Sequence, residues 1–428
     1  MRLQTTQFRL TAAIAVTSLV LGPLLPASGL AQGILPQTAP SPVAAETPAG
    51  PEISPPERVG RLASYQGTVS FHTADQDSWS PAEVNYPITS GDAFWTQPGA
   101  QAGIQVSDTF IGMAPTTELD VNTLDNTVFA AAEPQGEIFL NVADLQPGQS
   151  YVVQTPRGGV TIATPGQYGI TAGTTDSPTR ITVLAGAAQV TGSAPLDVPA
   201  GQTAVISGNQ TFQAQLEPAT RDDFLTEMLA RQQQQTPAQV VALPAVVQQM
   251  PGGSELAGYG TWSSDPSYGQ VWYPQVQSGW VPYREGRWAY VAPWGWTWID
   301  SDPWGFAPFH YGRWVFIGNR WAWVPGGGVV VAAPLYPVYA PALVTFFGIG
   351  IGVGIAVAAF FERPICWVPL GPGEPWHPWF RASPTYVRNV NIRNVTNITN
   401  ITRINNTTVN NITINNFRNA RAATPAAS

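Results

Sequence analysis

The strongest constraint on the fold is a tryptophan repeat past the middle of the chain. Eleven of the sixteen tryptophans lie between Trp262 and Trp323. A Gly-x-Trp motif begins at Gly260 and returns after 26 residues at Gly286 and again at Gly312, and a second tryptophan follows each first one by nine or ten residues. Such a fixed period indicates a supersecondary unit copied along the chain. The repeat positions expected to be structural are Gly260, Trp262, Trp272, Gly286, Arg287, Trp288, Trp298, Gly312, Arg313, Trp314 and Trp323.

The repeat reads as β structure. Trp288 and Tyr290 are two residues apart, as are Trp314 and Phe316, and this period of two places each pair on one face of a strand. Glycine, proline and asparagine between the aromatic stretches indicate turns. Burial of one indole stabilises a fold by at most about 4–6 kcal/mol, so tryptophan alone can build a small core. The arginines that precede two of the repeat tryptophans, Arg287 and Arg313, are expected to stack on neighbouring rings.

Some of these rings have a second interpretation, as an exposed aromatic platform for sugars or for a proline-rich peptide. A structural core and a ligand platform both fit the spacing. The candidates for the platform are Trp280, Trp294, Trp296, Trp304 and Trp321.

The N-terminus has the features of a secretory signal. Arg2 and Arg9 are followed by an uncharged apolar stretch over residues 10–25, and a small-residue site ends at Ala31. The sequence therefore predicts export to the periplasm or the cell surface.

Composition and turn spacing predict a mainly β protein of several domains. A capped, amphipathic stretch from Thr220 to about Gln235 predicts one connecting helix. The expected organisation is a signal peptide over residues 1–31, a Pro/Ala-rich linker over 32–57, an all-β domain over 58–208, a helical connector over 219–250, a tryptophan-rich repeat domain over 255–330, an apolar hairpin and Pro/Trp segment over 331–385, and a basic tail over 386–428.

Residues 58–208 resemble the FecR-like domain. The phrases that carry the resemblance include Ile88-Thr-Ser-Gly91-Asp92, Gly136-Glu-Ile-Phe, Ala163-Thr-Pro165-Gly-Gln-Tyr168 and Val183-Leu-Ala-Gly186. The resemblance implies an extracytoplasmic β domain. In signalling members of that family an anti-sigma segment and a transmembrane helix precede the domain, whereas here a cleavable signal is expected in their place.

The repeats resemble an uncharacterised tryptophan-rich domain that often follows FecR-like domains in exported bacterial proteins. The matching phrases include Gly279-Trp-Val-Pro-Tyr283, Pro293-Trp-Gly-Trp-Thr-Trp298 and Trp321-Ala-Trp-Val-Pro325. Tyr283-Arg-Glu-Gly286-Arg-Trp288 is also similar to the short W-x-x-G-x-W repeat of other small exported proteins. The resemblance implies no particular activity.

Charge is distributed unevenly along the chain, which has a net charge of −8 and no lysine. No acidic residue follows Glu374, whereas six arginines do. This basic tail predicts contact with an anionic envelope component, and no nucleic-acid partner is expected. The Asn-x-Thr triplets between residues 391 and 402 predict an extended or disordered segment, with β-stacking as the alternative.

Residues 342–361 form a long uncharged run. Its length suits a membrane span. However, Gly348, Gly350, Gly352 and Gly354 alternate with branched residues, which favours a strand or hairpin. Both interpretations remain open from the sequence.

Catalytic signatures are weak. The three histidines and Cys366 lack metal-ligand spacing, and no cofactor is predicted. Asp300 and Asp302 beside Trp298 and Trp304 could serve as the paired acids of a glycan hydrolase. We therefore expect a non-catalytic, exported scaffold or binding protein that acts through protein or glycan contacts. The alternatives are a cell-wall glycan hydrolase and an extracytoplasmic sensor or regulator of FecR type.

Overall fold

Strands dominate the fold, so the prediction of a mainly β protein is confirmed. The computed structural model describes residues 54–76, 78–192, 195–234, 243–326, 336–348, 365–395 and 416–425. All of them belong to one compact unit, residues 51–428. The predicted signal peptide and most of the predicted linker lie outside the described residues.

The first part of the described chain, up to Pro218, forms two sheets of nine strands each. In spatial order they are β18-β17-β14-β13-β10-β7-β6-β1-β4 and β16-β15-β12-β11-β9-β8-β5-β2-β3. Their strands are β1 Gly60–Gln66, β2 Val69–His72, β3 Ser80–Pro81, β4 Pro87–Ile88, β5 Ala93–Thr96, β6 Gln101–Val106, β7 Thr109–Met113, β8 Glu118–Leu124, β9 Val128–Gln135, β10 Glu137–Val142, β11 Ser150–Thr155, β12 Gly158–Ile162, β13 Gly166–Thr171, β14 Thr179–Ala185, β15 Ala187–Thr191, β16 Leu196–Pro199, β17 Gln202–Ser207 and β18 Gln213–Pro218. We call them the N-terminal sheet pair.

Buried and outward-facing side chains alternate along these strands, which explains why the two sheets pack against each other. On β8, for example, Leu119 and Val121 are buried while Glu118 and Asp120 face outward. The inward side chains of both sheets belong to one apolar core, as in a two-layer β fold. Strand β18 carries the first sheet past the predicted boundary at residue 208.

The predicted connecting helix is present as α1, Asp223–Gln234. Its N-terminus is capped by Asp222, whose carboxylate accepts the Leu225 N–H at 2.8 Å, rather than by Thr220. Leu225 and Met228 pack over Gly169 and Gly112 of the first sheet, because those glycines leave room for them. The helix thus covers the outer face of that sheet.

Each tryptophan repeat is a β-hairpin. The hairpins are β19 Gly260–Asp265 with β20 Gly269–Pro274, β21 Gly286–Val291 with β22 Gly295–Asp300, and β23 Arg313–Ile317 with β24 Arg320–Val324. In every hairpin the two repeat tryptophans are direct cross-strand partners: Trp262 with Trp272, Trp288 with Trp298, and Trp314 with Trp323. The first and third hairpins share a four-stranded sheet, and the second forms a sheet of two strands.

The three repeat glycines occupy equivalent surroundings. A Cβ on Gly260, Gly286 or Gly312 would lie 2.4–2.5 Å from a carbonyl oxygen of the facing strand and 2.5–2.6 Å from the indole of the second repeat tryptophan. Glycine is therefore required where that indole crosses the backbone. The 26-residue period is a structural repeat, and its core is tryptophan.

Three short helices and a fifth sheet, of three strands, accompany the hairpins. The helices are α2 Ala245–Gln248, α3 Leu256–Tyr259 and α4 Ala307–His310, and the sheet contains β25 Val344–Gly348, β26 Ile365–Pro369 and β27 Thr424–Pro425. Strand β25 pairs antiparallel with β26, and residues 349–364, which include three of the four alternating glycines, lie outside the described residues. In the part of the chain that the structure covers, no helix combines the length and apolarity needed to cross a bilayer.

The described parts of the tail, residues 386–395 and 416–425, differ from the extended or disordered segment that the sequence predicts. Residues 384–391 form helix α5, Pro384–Asn391, with Tyr386 and Val390 buried. Near the C-terminus a 3-10 turn, Ala420–Ala422, leads into β27, which pairs with β26. The reason is tertiary, because the apolar side chains of α5 and the amide of Asn419 find partners in the body of the protein. Residues 396–415 lie outside the described residues.

A buried polar network joins the sheet pair to the tryptophan hairpins. Arg61 is fully buried, and it donates to Asn85 at 2.9 Å and forms an ion pair with Glu255. Asn85 in turn donates to the backbone carbonyls of Asp300 and Asp302 at 3.2 and 2.7 Å. The sheets and hairpins therefore form one body rather than independent domains.

Candidate functional site

The structure separates the five predicted platform tryptophans. Trp294 and Trp304 are buried, Trp294 beside Tyr339 and Trp304 beside Trp272 and Trp280. Their rings belong to the core, which corrects their assignment to a ligand platform: a ring enclosed by other rings offers no face to a ligand. Trp296 is partly exposed on the second hairpin, where it is the cross-strand partner of Tyr290.

Trp321 remains as a candidate and lines a groove. Trp280 lines the same groove, but it is buried against the rings of Trp304 and Trp314, so its assignment to the platform is corrected as well. This groove has a volume of about 1040 Å³, close to the upper limit of the range typical of ligand sites. Trp321 forms one aromatic wall together with its cross-strand partner Phe316, at a centroid distance of 5.3 Å. Phe316 is 53% exposed, whereas Trp280 is 8% exposed and lies deeper. A partly buried indole beside an exposed phenyl ring gives the groove an apolar surface that a ligand can reach.

The β23–β24 turn positions this wall. Gly318 and Asn319 both have positive φ, 54° and 64°, and they connect the paired residues Ile317 and Arg320. A two-residue turn of this kind matches the twist of a hairpin. It places Arg320 and Trp321 at the start of β24, beside the opening.

Three arginines line the groove: Arg320, Arg418 and Arg421. None of the described lining residues is acidic, although the chain as a whole is. Arg320 lies over the Tyr273 ring at 4.7 Å, and Arg418 donates to the Tyr268 hydroxyl at 3.2 Å. In the described part of the chain none of the three forms an ion pair. The groove therefore has a positive field together with an aromatic wall.

The C-terminal segment, residues 416–425, is held in position by hydrogen bonds. Arg418 and Arg421 therefore belong to an ordered wall of the groove. The buried Asn419 amide donates to the carbonyls of Trp314 and Pro369 at 2.8 and 3.1 Å. The Arg418 backbone N–H donates to the Glu374 carboxylate at 2.6 Å. Sequence reasoning missed Phe316, Arg320, Arg418 and Arg421 as site residues. The hairpin register could have identified Phe316 as the partner of Trp321, but nothing in the sequence indicates that residues 418–421 return to this hairpin.

The repeat arginines do not stack on rings, which corrects that prediction. Arg313 is buried and donates to the carbonyls of Glu374 and Gly312 at 3.1 and 2.8 Å and to the Asn391 side chain at 2.9 Å. Burial lowers its pKa to about 10. Arg287, at the same repeat position, is exposed and forms an ion pair with Glu83. Backbone carbonyls and a carboxylate offer these guanidinium groups better hydrogen bonds than a ring face does.

The carboxylates considered for hydrolysis have different environments. Asp300 is 4% exposed; it accepts the Trp298 indole N–H at 2.9 Å and the Asp302 backbone N–H at 3.0 Å. Burial raises the pKa of Asp300 well above its ordinary value, and that of Asp302 is also raised by burial. Gly305 lies so close that a Cβ there would meet the Asp300 carboxylate at 2.4 Å. Asp300 therefore serves as the indole acceptor of the second hairpin, and its carboxylate has no open path to a substrate.

Histidine and cysteine are dispersed. His310 is fully buried, with its Nδ1 2.8 Å from the Ala340 carbonyl, and burial lowers its pKa to about 3. His72 contacts Trp79, and Cys366 is partly buried on β26. The described ranges hold no cluster of three or more His, Cys, Asp or Glu side chains that could bind a metal ion.

One buried carboxylate predicts a dependence of stability on pH. Glu133 is fully buried, and its pKa is raised well above 4.5 by burial and by nearby Glu137. A raised folded-state pKa means that stability is complete below the unfolded pKa and falls as pH rises toward the folded pKa. We expect Glu133→Gln to raise the free energy of unfolding at pH 8 by about 1–3 kcal/mol and to change little at pH 4. Urea denaturation at both pH values measures this.

Glu217→Gln is the control for this variant, because Glu217 is half exposed. It should give no pH-dependent gain. An equal gain from Glu133→Gln at pH 4 and pH 8 would show that titration of Glu133 is not the cause.

Comparison with known proteins gives a family match for residues 253–374, the region that contains the hairpins. A search of curated proteins finds no match. Two crystal structures from Parabacteroides distasonis ATCC 8503, each described provisionally as an anti-sigma factor, are similar to this chain with TM-scores of 0.29 and 0.27 and identities of 14% and 16%. The matches cover 32% and 30% of this chain and 64% and 59% of those structures. Residues 253–374, which contain the three hairpins and the Trp321 wall of the groove, match the profile of a family of unknown function (DUF6600).

Proposed function

We propose that this chain is an exported, non-catalytic binding protein whose groove holds a carboxylate-bearing glycan. The observation that carries the proposal is the combination, in one groove of about 1040 Å³, of an exposed aromatic wall with three arginines and, among the described lining residues, no acidic one. The export signal expected at the N-terminus and the FecR-like features of residues 58–208 support a location in the cell envelope, where such glycans occur.

The aromatic wall supports a sugar as ligand. Trp321 and Phe316 present flat apolar surfaces, and the C–H face of a sugar ring buries against such a surface at low entropic cost because the rings are held by the hairpin. Side-chain amides of Gln275, Gln277 and Asn319 also line the groove. Amides donate and accept, so they suit a ligand rich in hydroxyl groups.

The arginines support a carboxylate on that sugar. A guanidinium group binds carboxylate through two parallel hydrogen bonds, and the chain offers three such groups around one opening. A neutral sugar would leave this positive field without a counter-charge. Binding should therefore weaken with salt, since exposed charges are screened over about 10 Å at 0.1 M ionic strength.

The buried Asp300 supports a binding role over hydrolysis. A general acid must reach the bond that it protonates, and this carboxylate is already engaged by Trp298 and by the backbone of Asp302. If the chain nevertheless hydrolyses peptidoglycan, activity should vanish when Asp300 and Asp302 are both changed to Asn. Activity retained in that variant would end the hypothesis that Asp300 and Asp302 are the catalytic pair, and absence of activity in the unaltered chain would end the hydrolase alternative itself.

Isothermal titration of the full mature chain with a galacturonic-acid hexamer tests the proposal. We expect saturable binding that Trp321→Ala weakens at least tenfold, about 1.4 kcal/mol, and that Arg421→Gln weakens with a smaller salt dependence. Trp296→Ala is the matched control, because Trp296 is a partly exposed indole outside the groove. Absence of binding, or equal loss in Trp296→Ala and Trp321→Ala, would refute the proposal.

A further inference from the structure

The outer face of the N-terminal sheet pair carries a second set of aromatic and polar side chains. Ser70, Trp95, Glu118 and Gln135 are successive cross-strand partners on β2, β5, β8 and β9. Inward-facing neighbours such as Phe94 and Leu119 are buried, whereas these four are partly or fully exposed. Since adjacent strands lie about 4.8 Å apart, the row extends about 14 Å across the sheet.

A second indole stands at the end of this row. Trp79 is 45% exposed and immediately precedes β3. Its ring meets His72 edge to face, with centroids 4.7 Å apart and an interplanar angle of 85°. This contact orients the indole, which lowers the entropic cost of using it in binding.

Together these side chains line a shallow depression of about 460 Å³, with Gln97 as the remaining lining residue. The depression shares no residue with the groove between Trp321 and the C-terminal arginines. Its volume falls within the range typical of ligand sites. Two indoles, two amides, one hydroxyl and one carboxylate surround it.

This chemistry suits an uncharged, hydroxyl-rich ligand. The indoles offer apolar faces, the amides donate and accept hydrogen bonds, and the Glu118 carboxylate accepts from hydroxyl groups. None of the lining residues that the structure describes is basic, and Asp120 is the next outward side chain on the Glu118 strand. An acidic ligand would meet like charge here, which is the opposite of the situation in the groove.

We propose that this depression is a second glycan site, selective for a neutral sugar chain that lies along the Ser70–Gln135 row and stacks on Trp79. The row is long enough for more than one sugar ring, so a chain should bind more tightly than a single sugar. The site is independent of the groove, and neither proposal requires the other.

The test is titration of the full chain with cellohexaose, xylohexaose and chitohexaose, followed by calorimetry. We expect at least one hexamer to bind saturably, Trp79→Ala to weaken it at least tenfold and Gln135→Ala to weaken it severalfold. Tyr65→Ala is the matched control, because Tyr65 is equally exposed at 45% on the same sheet pair but outside the depression. Near-ultraviolet circular dichroism checks that each variant is folded.

Trp321→Ala separates this site from the groove, since it should leave binding of the neutral hexamer unchanged. The proposal is overturned if none of the three hexamers binds at millimolar concentration, or if Trp79→Ala binds as the unaltered chain does. It is also overturned if sedimentation shows that Trp79 mediates association of two copies and no sugar binds.

Discussion

Alanine at Gly312 is expected to destabilise the protein by about 2–4 kcal/mol. Two effects combine at this position. The φ angle of 70° disfavours any side chain, and the added Cβ would lie 2.4 Å from the Val324 carbonyl oxygen and 2.5 Å from the Trp323 indole nitrogen. Neither neighbour can move freely, because the Trp323 indole donates to the Tyr311 carbonyl at 2.8 Å. Urea denaturation measures the loss.

Gly318→Ala is the matched control for Gly312→Ala. Gly318 also has a positive φ, 54°, but a Cβ there would meet nothing within 4 Å. Gly318→Ala should lower the free energy of unfolding by about 1–2 kcal/mol, because only the backbone conformation disfavours the new side chain. Gly286→Ala, which lacks the positive φ but has the same indole contact, should fall between the two. Equal losses at Gly312 and Gly318 would contradict the role assigned to the repeat glycines.

Replacement of Arg313 by lysine is expected to cost about 2–4 kcal/mol although the charge is retained. The planar guanidinium reaches the carbonyls of Glu374 and Gly312 and the side chain of Asn391 in three directions. A single ammonium group cannot reproduce that geometry, so buried acceptors would lose their donors. This arginine ties the third hairpin to helix α5, and its loss should lower the midpoint of urea unfolding.

The repeat itself supplies the control for Arg313→Lys. Arg287 has the same position in the second hairpin, but its side chain is 51% exposed and pairs with Glu83. Arg287→Lys should change stability by less than about 1 kcal/mol, as for other exposed ion pairs. Similar losses at the two positions would show that the Arg313 hydrogen bonds contribute little.

The hairpins could be predicted because their signals are local. The two-residue alternation of Trp288 with Tyr290 and the turn at Gly318 and Asn319 both act within one hairpin. Because the period is fixed at 26 residues, equivalent residues of each copy pack in the same way. The common environment of Gly260, Gly286 and Gly312 is the result.

The face that each tryptophan presents could not be predicted in the same way. Alternation shows that two residues share a side of a strand, but not whether that side meets solvent. Trp294 is enclosed because Tyr339, distant in sequence, lies against it, and Trp304 because Trp272 and Trp280 do. These contacts depend on how hairpins assemble, which periodicity does not encode.

The candidate groove could not be predicted from the sequence for a related reason. Its aromatic wall comes from one hairpin, whereas Arg418 and Arg421 come from a segment about 100 residues further along the chain. The Asn-rich, low-complexity sequence of residues 391–415 predicts an unstructured tail. It gives no indication that residues 416–425 are ordered and that β27 pairs with β26. Long-range contacts bring the two walls together, among them those of Asn419 with Trp314 and Pro369 and the pairing of β27 with β26.

A co-crystal structure with the galacturonic-acid hexamer tests the central claim most directly. We expect one sugar ring against Trp321 and at least one sugar carboxylate within about 2.7–2.9 Å of the Arg421 or Arg418 guanidinium. A hexamer bound only outside this groove, or a groove that stays empty at a saturating concentration of the hexamer, would contradict the claim.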